Sequence, residues 1–169
     1  MIVREWVHEG YSCAILKHNE LGHLCGYVAV TESHPFYGKN YNQCLEGCAP
    51  VPYEAGEYFT QEMADRMNER SGGHYDCIYE KEHLSIDRIL DVHGGITYSG
   101  STLADIENGM WWLGFDCGHV GDYSPGIAAT LLKTGYTDHL LRNDETYRDE
   151  DYVTAEILKL VTQIAKEAK

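Results

Sequence analysis

The stretch WWLGFDCGHVGD, residues 111–122, joins a run of aromatic and apolar residues to a loop rich in glycine and polar side chains. The apolar run predicts a buried or half-buried β-strand from Met110 to Phe115. Four polar or reactive side chains follow where the run stops: Asp116, Cys117, His119 and Asp122. Glycine permits positive φ and close backbone approach, so side chains at such a strand end can point into one cavity. The stretch therefore predicts a strand and a functional site at its end.

A second cluster of the same kind, DVHGGITY, occupies residues 91–98. The residues before it, Leu84 to Val92, alternate apolar and polar side chains in places, which predicts another strand leading into the cluster. His93 is followed by two glycines whose backbone amides could face a ligand. The candidate ligand-binding residues of this cluster are Gly94, Gly95, Thr97 and Tyr98.

The ends of the chain indicate the fold class. Ile2 to Val7 predicts an opening strand, and Tyr11 to Lys17 with His23 to Val30 predicts a β-hairpin. Apolar residues recur at helical spacing near the carboxyl end and predict an amphipathic helix from about Glu150 to Lys166. A shorter helix is predicted from Pro125, after the capping residue Ser124, to near Gly135. Strands in succession followed by helices favour an α+β fold, with a mostly antiparallel sheet and the last helix packed on one face.

Length and charge limit the classes of protein and partner. A chain of 169 residues suits one domain, and we predict a single domain over residues 1–169 with a loop-rich insertion at 42–80. The formal charge of -14 argues against a nucleic-acid partner, because phosphate-backbone binding needs clustered Lys and Arg. The first residues lack the apolar core of a signal peptide, and no apolar run is long enough to span a bilayer. These features predict a cytoplasmic protein without a membrane partner, whose cysteines are thiols or metal ligands.

The predicted insertion holds two pairs of metal-ligand residues: Cys44 with Cys48, and His74 with Cys77. Two ligands three or four residues apart, occurring twice, are typical of a structural zinc site, because a turn brings each pair onto one tetrahedral ion. Unrelated thiols in a loop-rich segment are the alternative.

The loop TESHPFYGKNY, residues 31–41, is punctuated by proline and glycine and carries three aromatic residues. Glu32, His34, Tyr37 and Lys39 could reach a ligand from it, or the segment could be a rigid surface loop closed by its own aromatic side chains. We expect this loop and the two glycine-rich clusters to converge on one cavity.

Three kinds of chemistry fit the clusters. The first is a divalent metal ion, such as zinc, manganese or magnesium, because five residues offer suitable ligands: Asp91, His93, Asp116, His119 and Asp122. Such an ion would polarise a phosphoryl or carbonyl group and activate water. The spacing matches no established metal-enzyme motif, so these residues permit the site without specifying it.

The second kind is nucleophilic catalysis by Cys117, with His119 or His93 as its base and Asp116 or Asp122 orienting that base. A cysteine after an aromatic strand is more often buried and inert. The third kind is binding without reaction, in which backbone amides and aromatic rings hold a small molecule. Alternatively, the aromatic side chains of residues 111–115 are core, and the polar residues only tie loops together.

Residues 32–38, 91–98 and 111–122 resemble a family of small, mostly uncharacterised proteins of bacteriophages and prophages, which share HPxYG, VHGGxTY and WWxGFDCxHxGD segments. The resemblance covers these segments and the carboxy-terminal helix. It implies a phage origin, the cytoplasm of a host cell, and interference with host defence as a functional context. Proteins of that context include ones that bind or cleave a nucleotide signal.

These observations favour a metal-assisted hydrolase of a small phosphorylated or nucleotide-like molecule over a non-catalytic binder that sequesters such a molecule. A binder of anions would be expected to offer more Arg and Lys near its glycine loops. The predicted catalytic residues are His93, Asp116, Cys117, His119 and Asp122. A homo-oligomer is left open by the sequence.

Overall fold

An antiparallel sheet of five strands is the framework of the computed structural model, which describes residues 1–43, 45, 85–106, 108–135 and 145–168. The strands are β1 (Ile2–His8), β2 (Tyr11–Lys17), β3 (Leu24–Val30), β4 (Tyr98–Gly100) and β5 (Trp111–Asp116). Their order across the sheet is β1-β2-β3-β5-β4, and every neighbouring pair is antiparallel. The helices of the described residues are α1 (Ile86–Ile89), α2 (Pro125–Thr134) and α3 (Glu150–Glu167). The predicted α+β fold is confirmed.

Two turns build the first half of the sheet. Glu9 and Gly10 connect β1 to β2, and both have positive φ, 49° and 87°, as a two-residue hairpin turn requires. β2 and β3 form the predicted hairpin, in which Leu16 pairs with Cys25. β3 then pairs with β5, so the strand predicted from the aromatic run lies inside the sheet rather than at its edge.

The C-terminal helix α3 packs on one face of the sheet, as predicted. Its buried residues recur at helical spacing: Val153, Ile157, Leu160, Val161 and Ile164. Burying each such side chain stabilises the fold by roughly 1.5–3 kcal/mol. The helix approaches closest over Gly26, where a Cβ would lie 3.0 Å from Ile157 and 2.5 Å from the Phe115 ring. Asp149 caps the helix by accepting a hydrogen bond from the Tyr152 amide.

The opposite face of the sheet carries a smaller apolar cluster. Ala14, Ala29 and Trp112 are buried there beneath Leu103. Leu103 pairs with Ile106 across a tight turn in the irregular loop between β4 and β5. The aromatic run of β5 thus supplies both faces of the sheet, with Trp112 on this side and Phe115 beneath α3.

The strand predicted from Leu84 to Val92 is wrong over the residues that the structure describes. Residues 86–89 form the single-turn helix α1, in which Ile86 and the following Leu90 are buried. A spacing of four residues places both side chains on one side of a helical turn, so the apolar pattern here follows the helix period. The Asp87 amide donates to the Tyr41 carbonyl at 3.0 Å and joins α1 to the chain that follows β3.

Helix α2 has the predicted boundaries. Pro125 is its first residue, Ser124 precedes it, and Gly135 ends it in the left-handed conformation with a φ of 74°. None of the helices in the described ranges is both long and apolar enough to cross a membrane.

Several predicted features lie outside the described residues. The zinc ligands Cys44, Cys48, His74 and Cys77 all belong to this part of the chain, and so does nearly all of the insertion predicted at 42–80. The zinc site, the insertion and the single domain over residues 1–169 therefore stay predictions.

Candidate functional site

The site forms where β5 ends and the chain turns back on itself. The Cys117 amide still donates to the Leu24 carbonyl at 3.0 Å, which extends the sheet by one residue. The Asp122 amide then donates to the His119 carbonyl at 2.9 Å and closes a turn. Beyond it, the Tyr123 amide donates to the Thr146 carbonyl at 3.0 Å, so the segment before α3 runs alongside this turn. These contacts bring residues from three parts of the chain together.

Asp122 is the centre of the site, with only 2% of its side chain exposed. Its Oδ2 accepts hydrogen bonds from His93 Nε2 at 2.7 Å and from the His119 amide at 3.1 Å. Its Oδ1 accepts a hydrogen bond from Arg148 Nε at 2.8 Å. Burial alone would raise the pKa of this carboxyl, but the hydrogen bonds from Arg148 and His93 outweigh it and lower the pKa. Asp122 is therefore a carboxylate at neutral pH.

His93 is held from both sides of its ring. Nδ1 lies 2.9 Å from the Tyr152 hydroxyl, and Nε2 lies on Asp122. The His93 amide also donates to Glu156 Oε2 at 2.8 Å, so two residues of α3 position this histidine. Its side chain is 14% exposed, which leaves the ring edge within reach of a small ligand.

His119 lies directly over Gly94. A Cβ at Gly94 would be 2.1 Å from His119 Cε1, and Gly94 has a φ of 66°. Glycine is required here on both counts, because a side chain would occupy the space of the imidazole and strain the backbone. The two glycine-rich clusters of the sequence therefore meet through this contact.

The Nδ1 atom of His119 is buried and has no hydrogen-bond partner among the described residues. It lies 3.6 Å from Asp116 Oδ1 and 3.9 Å from Asp122 Oδ2, both beyond hydrogen-bonding distance. Buried polar atoms are nearly always paired, so an unpaired imidazole nitrogen facing two carboxylates needs an explanation.

His93, His119 and Asp122 could hold a metal ion. Each offers one ligand atom, and these three atoms lie within 4.8 Å of one another. Imidazole nitrogen and carboxylate oxygen are ligands that zinc and other transition metals accept. We call these three residues the His/Asp cluster. Asp116 lies beside it, and Asp91 does not belong to it, because Asp91 pairs instead with Lys159 at 2.9 Å.

Cys117 is buried, and its burial raises the pKa of the thiol to about 12. The nearby carboxylates Asp122 and Asp116 contribute to this rise. A nucleophilic cysteine needs a depressed pKa and access to substrate, so these surroundings oppose the predicted nucleophile. The structure favours the buried, inert alternative.

The loop at residues 32–38 does not converge with the glycine-rich clusters, so that prediction is wrong. His34 is buried at the other end of α3, where its ring contacts the Ile164 carbonyl at 3.1 Å. Ile164 is twelve residues along α3 from Tyr152, a distance of about 18 Å at the helical rise. His34 is thus a structural histidine, because the Phe36 amide also donates to its Nδ1 at 3.1 Å.

Tyr37 and Lys39 join this loop to the chain at the start of β5. The Tyr37 hydroxyl donates to the Gly109 carbonyl at 3.1 Å, and Trp111 Nε1 donates to the Lys39 carbonyl at 3.0 Å. These two contacts hold the loop against β5 and do not close it by its own aromatic side chains.

The remaining predicted residues divide between the two sides of the sheet. Gly94 is in contact with His119, whereas a Cβ at Gly95 would meet nothing within 4 Å. The Thr97 amide donates to the Gly114 carbonyl at 2.9 Å and so belongs to the sheet. Tyr98 lies with Tyr27 on the face opposite α3, away from His93.

Sequence reasoning missed three residues that support the site: Arg148, Tyr152 and Glu156. They are spaced four apart, so Tyr152 and Glu156 share one side of the start of α3, and Arg148 lies just before the capping residue Asp149. That spacing, on the polar flank of a predicted amphipathic helix, is the signal that could have drawn attention to them. Nothing in the sequence indicates that this flank faces His93.

Comparisons of the chain with protein-family models, with curated proteins and with solved structures give no match. The function must therefore be argued from the geometry of the His/Asp cluster and its surroundings.

Proposed function

We propose that this protein is a metal-assisted hydrolase of a small phosphorylated molecule, with a divalent ion bound by His93, His119 and Asp122. The unpartnered, buried Nδ1 of His119 carries the proposal. A metal ion placed between this nitrogen, Asp122 Oδ2 and His93 Nε2 would satisfy it, and ligand–ligand separations of 2.7 and 3.9 Å need only small adjustments. Metal–ligand bonds of about 2.0–2.2 Å fit such a triangle.

The atoms behind the cluster support metal binding, because metal ligands in proteins are normally oriented by outer hydrogen bonds. Tyr152 contacts Nδ1 of His93, which directs Nε2 towards the cluster. Arg148 binds Oδ1 of Asp122, which leaves Oδ2 for an ion. The Tyr152 oxygen can also accept a hydrogen bond from Nδ1, as it must when Nε2 binds a metal and Nδ1 carries the proton of the neutral ring.

A bound divalent ion would polarise a phosphoryl oxygen and lower the pKa of a bound water towards about 7. Asp116 is about one-third exposed and lies 3.6 Å from His119 Nδ1, so it can accept the proton of the attacking water. The water oxygen forms the new bond to phosphorus, and the bond from phosphorus to the leaving oxygen breaks. The leaving oxygen takes up the proton that Asp116 received from the water, which gives an alcohol and inorganic phosphate.

Arg148 supplies the positive charge that an anionic substrate needs in an acidic protein. Its Nε binds Asp122, and its guanidinium lies 4.7 Å from the centre of the Tyr152 ring. In the described ranges its two terminal nitrogens donate no hydrogen bond to another residue, and the side chain is 28% exposed. These nitrogens are placed to bind phosphate oxygens. A phosphorylated substrate also fits the host-defence context that the phage resemblance implies.

Metal titration of the demetallated protein tests the first half of the proposal. Zinc or manganese should bind to the wild type, and His119→Ala, which removes a ligand, should weaken binding at this site by more than the roughly 10- to 100-fold that loss of an outer hydrogen-bond partner costs. His8→Ala is the matched control, because His8 lies on the edge strand β1. The predicted Cys/His zinc would appear as a second ion that survives His119→Ala.

Incubation with a panel of phosphorylated compounds, with and without divalent metal, followed by mass analysis, tests the second half. We expect metal-dependent release of phosphate that is lost in His93→Ala and His119→Ala while both remain folded. Stoichiometric capture and release of unchanged ligand would contradict the hydrolase and support the sequestering binder instead.

A further inference from the structure

The sheet face opposite α3 contains a cavity of about 590 Å³. It lies between the turn that joins β2 to β3 and the loop that carries Leu103 and Ala104. Six of its lining residues matter for the argument: Leu16, Lys17, His18, Cys25, Tyr27 and Tyr98. A volume in this range matches the pockets in which proteins bind small molecules.

Two aromatic rings form one wall of this cavity. Tyr27 and Tyr98 meet edge to face, with ring centroids 5.6 Å apart and an interplanar angle of 83°. The Tyr98 hydroxyl donates to the Thr102 carbonyl, and the Tyr27 ring lies against Gly114, where a Cβ would be 2.3 Å away. Both rings are therefore fixed by the sheet and its loop. A preformed aromatic wall of this kind suits the flat face of a ring in a ligand.

Polar groups stand at the rim of the same cavity. His18 Nδ1 accepts a hydrogen bond from the Leu21 amide at 3.2 Å, so in the neutral ring Nε2 carries the proton and can donate to a ligand. Lys17 adds a positive charge next to it, and Glu20 adds an acceptor. Donors and acceptors around an aromatic wall fit a heteroaromatic ring better than a plain hydrocarbon ring.

Asp116 connects this cavity to the His/Asp cluster. It is the cross-strand partner of Cys25, which lines the cavity, and its Oδ1 lies 3.6 Å from His119 Nδ1. Directly opposed residues of an antiparallel pair have Cβ atoms about 5 Å apart. The cavity and the cluster thus lie on either side of Asp116, at the same end of the sheet. One ligand with two parts can reach both.

We infer that the substrate is a nucleoside phosphate, whose base lies against Tyr27 and Tyr98 while its phosphate lies at the His/Asp cluster. This inference rests on the proposed hydrolase, because it names the substrate class of that site. It adds a base-binding site on the opposite face of the sheet. The sugar spans the distance past Asp116.

Binding of adenosine and of adenosine monophosphate tests the base site separately from hydrolysis. Saturation-transfer NMR should show both ligands bound to the wild type, and also to His119→Ala, which lacks a cluster ligand. Tyr98→Leu should weaken binding of adenosine monophosphate by roughly five- to 100-fold, the range for loss of one base–aromatic contact. Val7→Ala is the control, because Val7 is exposed on the edge strand and lies outside the cavity lining.

The outcomes separate the two proposals. Phosphate release from glycerol phosphate, together with no binding of adenosine, guanosine, cytidine or uridine, would overturn the base site and leave the hydrolase standing. Nucleoside binding that weakens in Tyr98→Leu, without hydrolysis of any nucleotide, would support the base site and contradict the hydrolase. Equal binding by Tyr98→Leu and wild type, with matching melting temperatures, would also overturn the base site.

Discussion

The two ends of helix α3 each hold a histidine with both ring nitrogens engaged, yet their partners differ. At one end, His34 contacts the Phe36 amide and the Ile164 carbonyl, which are backbone groups. At the other end, His93 contacts the Tyr152 hydroxyl and the Asp122 carboxylate, which are side-chain groups. Histidine therefore has a structural role at one end of the helix and belongs to the candidate metal site at the other end.

The hydrogen-bond partners of each imidazole ring determine which of these two roles the histidine can have. A backbone amide and a carbonyl can bind only a neutral imidazole in one tautomer, so His34 acts as a fixed connection between a loop and a helix. A hydroxyl can donate or accept a hydrogen bond, and a carboxylate can bind a metal ion that takes the place of the Nε2 proton. His93 therefore keeps chemical freedom that His34 lacks, and its neighbour His119 has an unpartnered nitrogen.

The largest effect is expected from removing the structural histidine. His34→Ala leaves the Phe36 amide and the Ile164 carbonyl buried without partners, and each unsatisfied group costs about 1–3 kcal/mol. We expect the free energy of unfolding in urea to fall by roughly 2–4 kcal/mol on this basis. Metal affinity, measured on the folded fraction, should not change. A loss of metal binding in the folded variant would contradict the purely structural role of His34.

Gly94→Ala should disrupt the His/Asp cluster, at the other end of α3, without removing any of its three candidate ligands. The new methyl group would lie 2.1 Å from His119 Cε1 and displace the imidazole. We expect metal affinity, measured by calorimetric titration, to fall by about 100-fold, comparable to the loss of a ligand. Gly95→Ala is the matched control, because Gly95 also has positive φ, 83°, but open space around it. An equal loss of metal affinity in both variants would show that backbone strain, and not displacement of the His119 ring, causes the loss.

Tyr152→Phe tests whether the partner of His93 tunes the cluster. Without the hydroxyl at 2.9 Å, the His93 ring loses the group that orients it. Loss of such an outer partner typically weakens metal binding by about 10- to 100-fold, and we expect the lower end because Glu156 still holds the His93 backbone. The variant should remain folded, since the Phe ring keeps the helix packing. Unchanged metal affinity would show that Tyr152 has no such role.

The smallest expected effect is a pH dependence of the unfolding free energy that is caused by His34. Burial lowers the pKa of His34 below its usual value of 6.5. The unfolded chain then binds this proton more readily than the folded protein, so stability is complete above about pH 6.5 and declines as pH falls towards the lower, folded-state pKa. His34→Gln should flatten the pH profile of the unfolding free energy in this range. The buried His23 has the same direction of pKa shift and should account for part of the slope that remains.

Local periodicity predicted the fold better than it predicted contacts. Helix α3 and strand β5 followed from the spacing and the apolar character of their residues, because each buries one continuous surface. The strand prediction around Ile86 was wrong, because a spacing of four residues can be mistaken for alternation over so few positions. A single helical turn offers too little sequence to separate the two periods.

The site was predictable in its centre and not in its surroundings. His93, His119 and Asp122 stood out because polar chemistry follows strand ends and glycines. Arg148 and Tyr152 did not, because their approach to Asp122 and His93 is fixed by how the carboxy-terminal segment folds back on the sheet. His34 was assigned to the same cavity because nothing in one sequence specifies which end of a helix a loop will meet.

The hydrogen bond from the Asp87 amide to the Tyr41 carbonyl joins two points that are far apart in sequence but adjacent in space. The chain between them therefore starts and ends at neighbouring points of the structure. A linker of about five residues in place of residues 44–84 is long enough to bridge these ends. Such a shortened chain would lack the predicted zinc ligands Cys44, Cys48, His74 and Cys77. Any metal ion that it still binds could then be assigned to the His/Asp cluster.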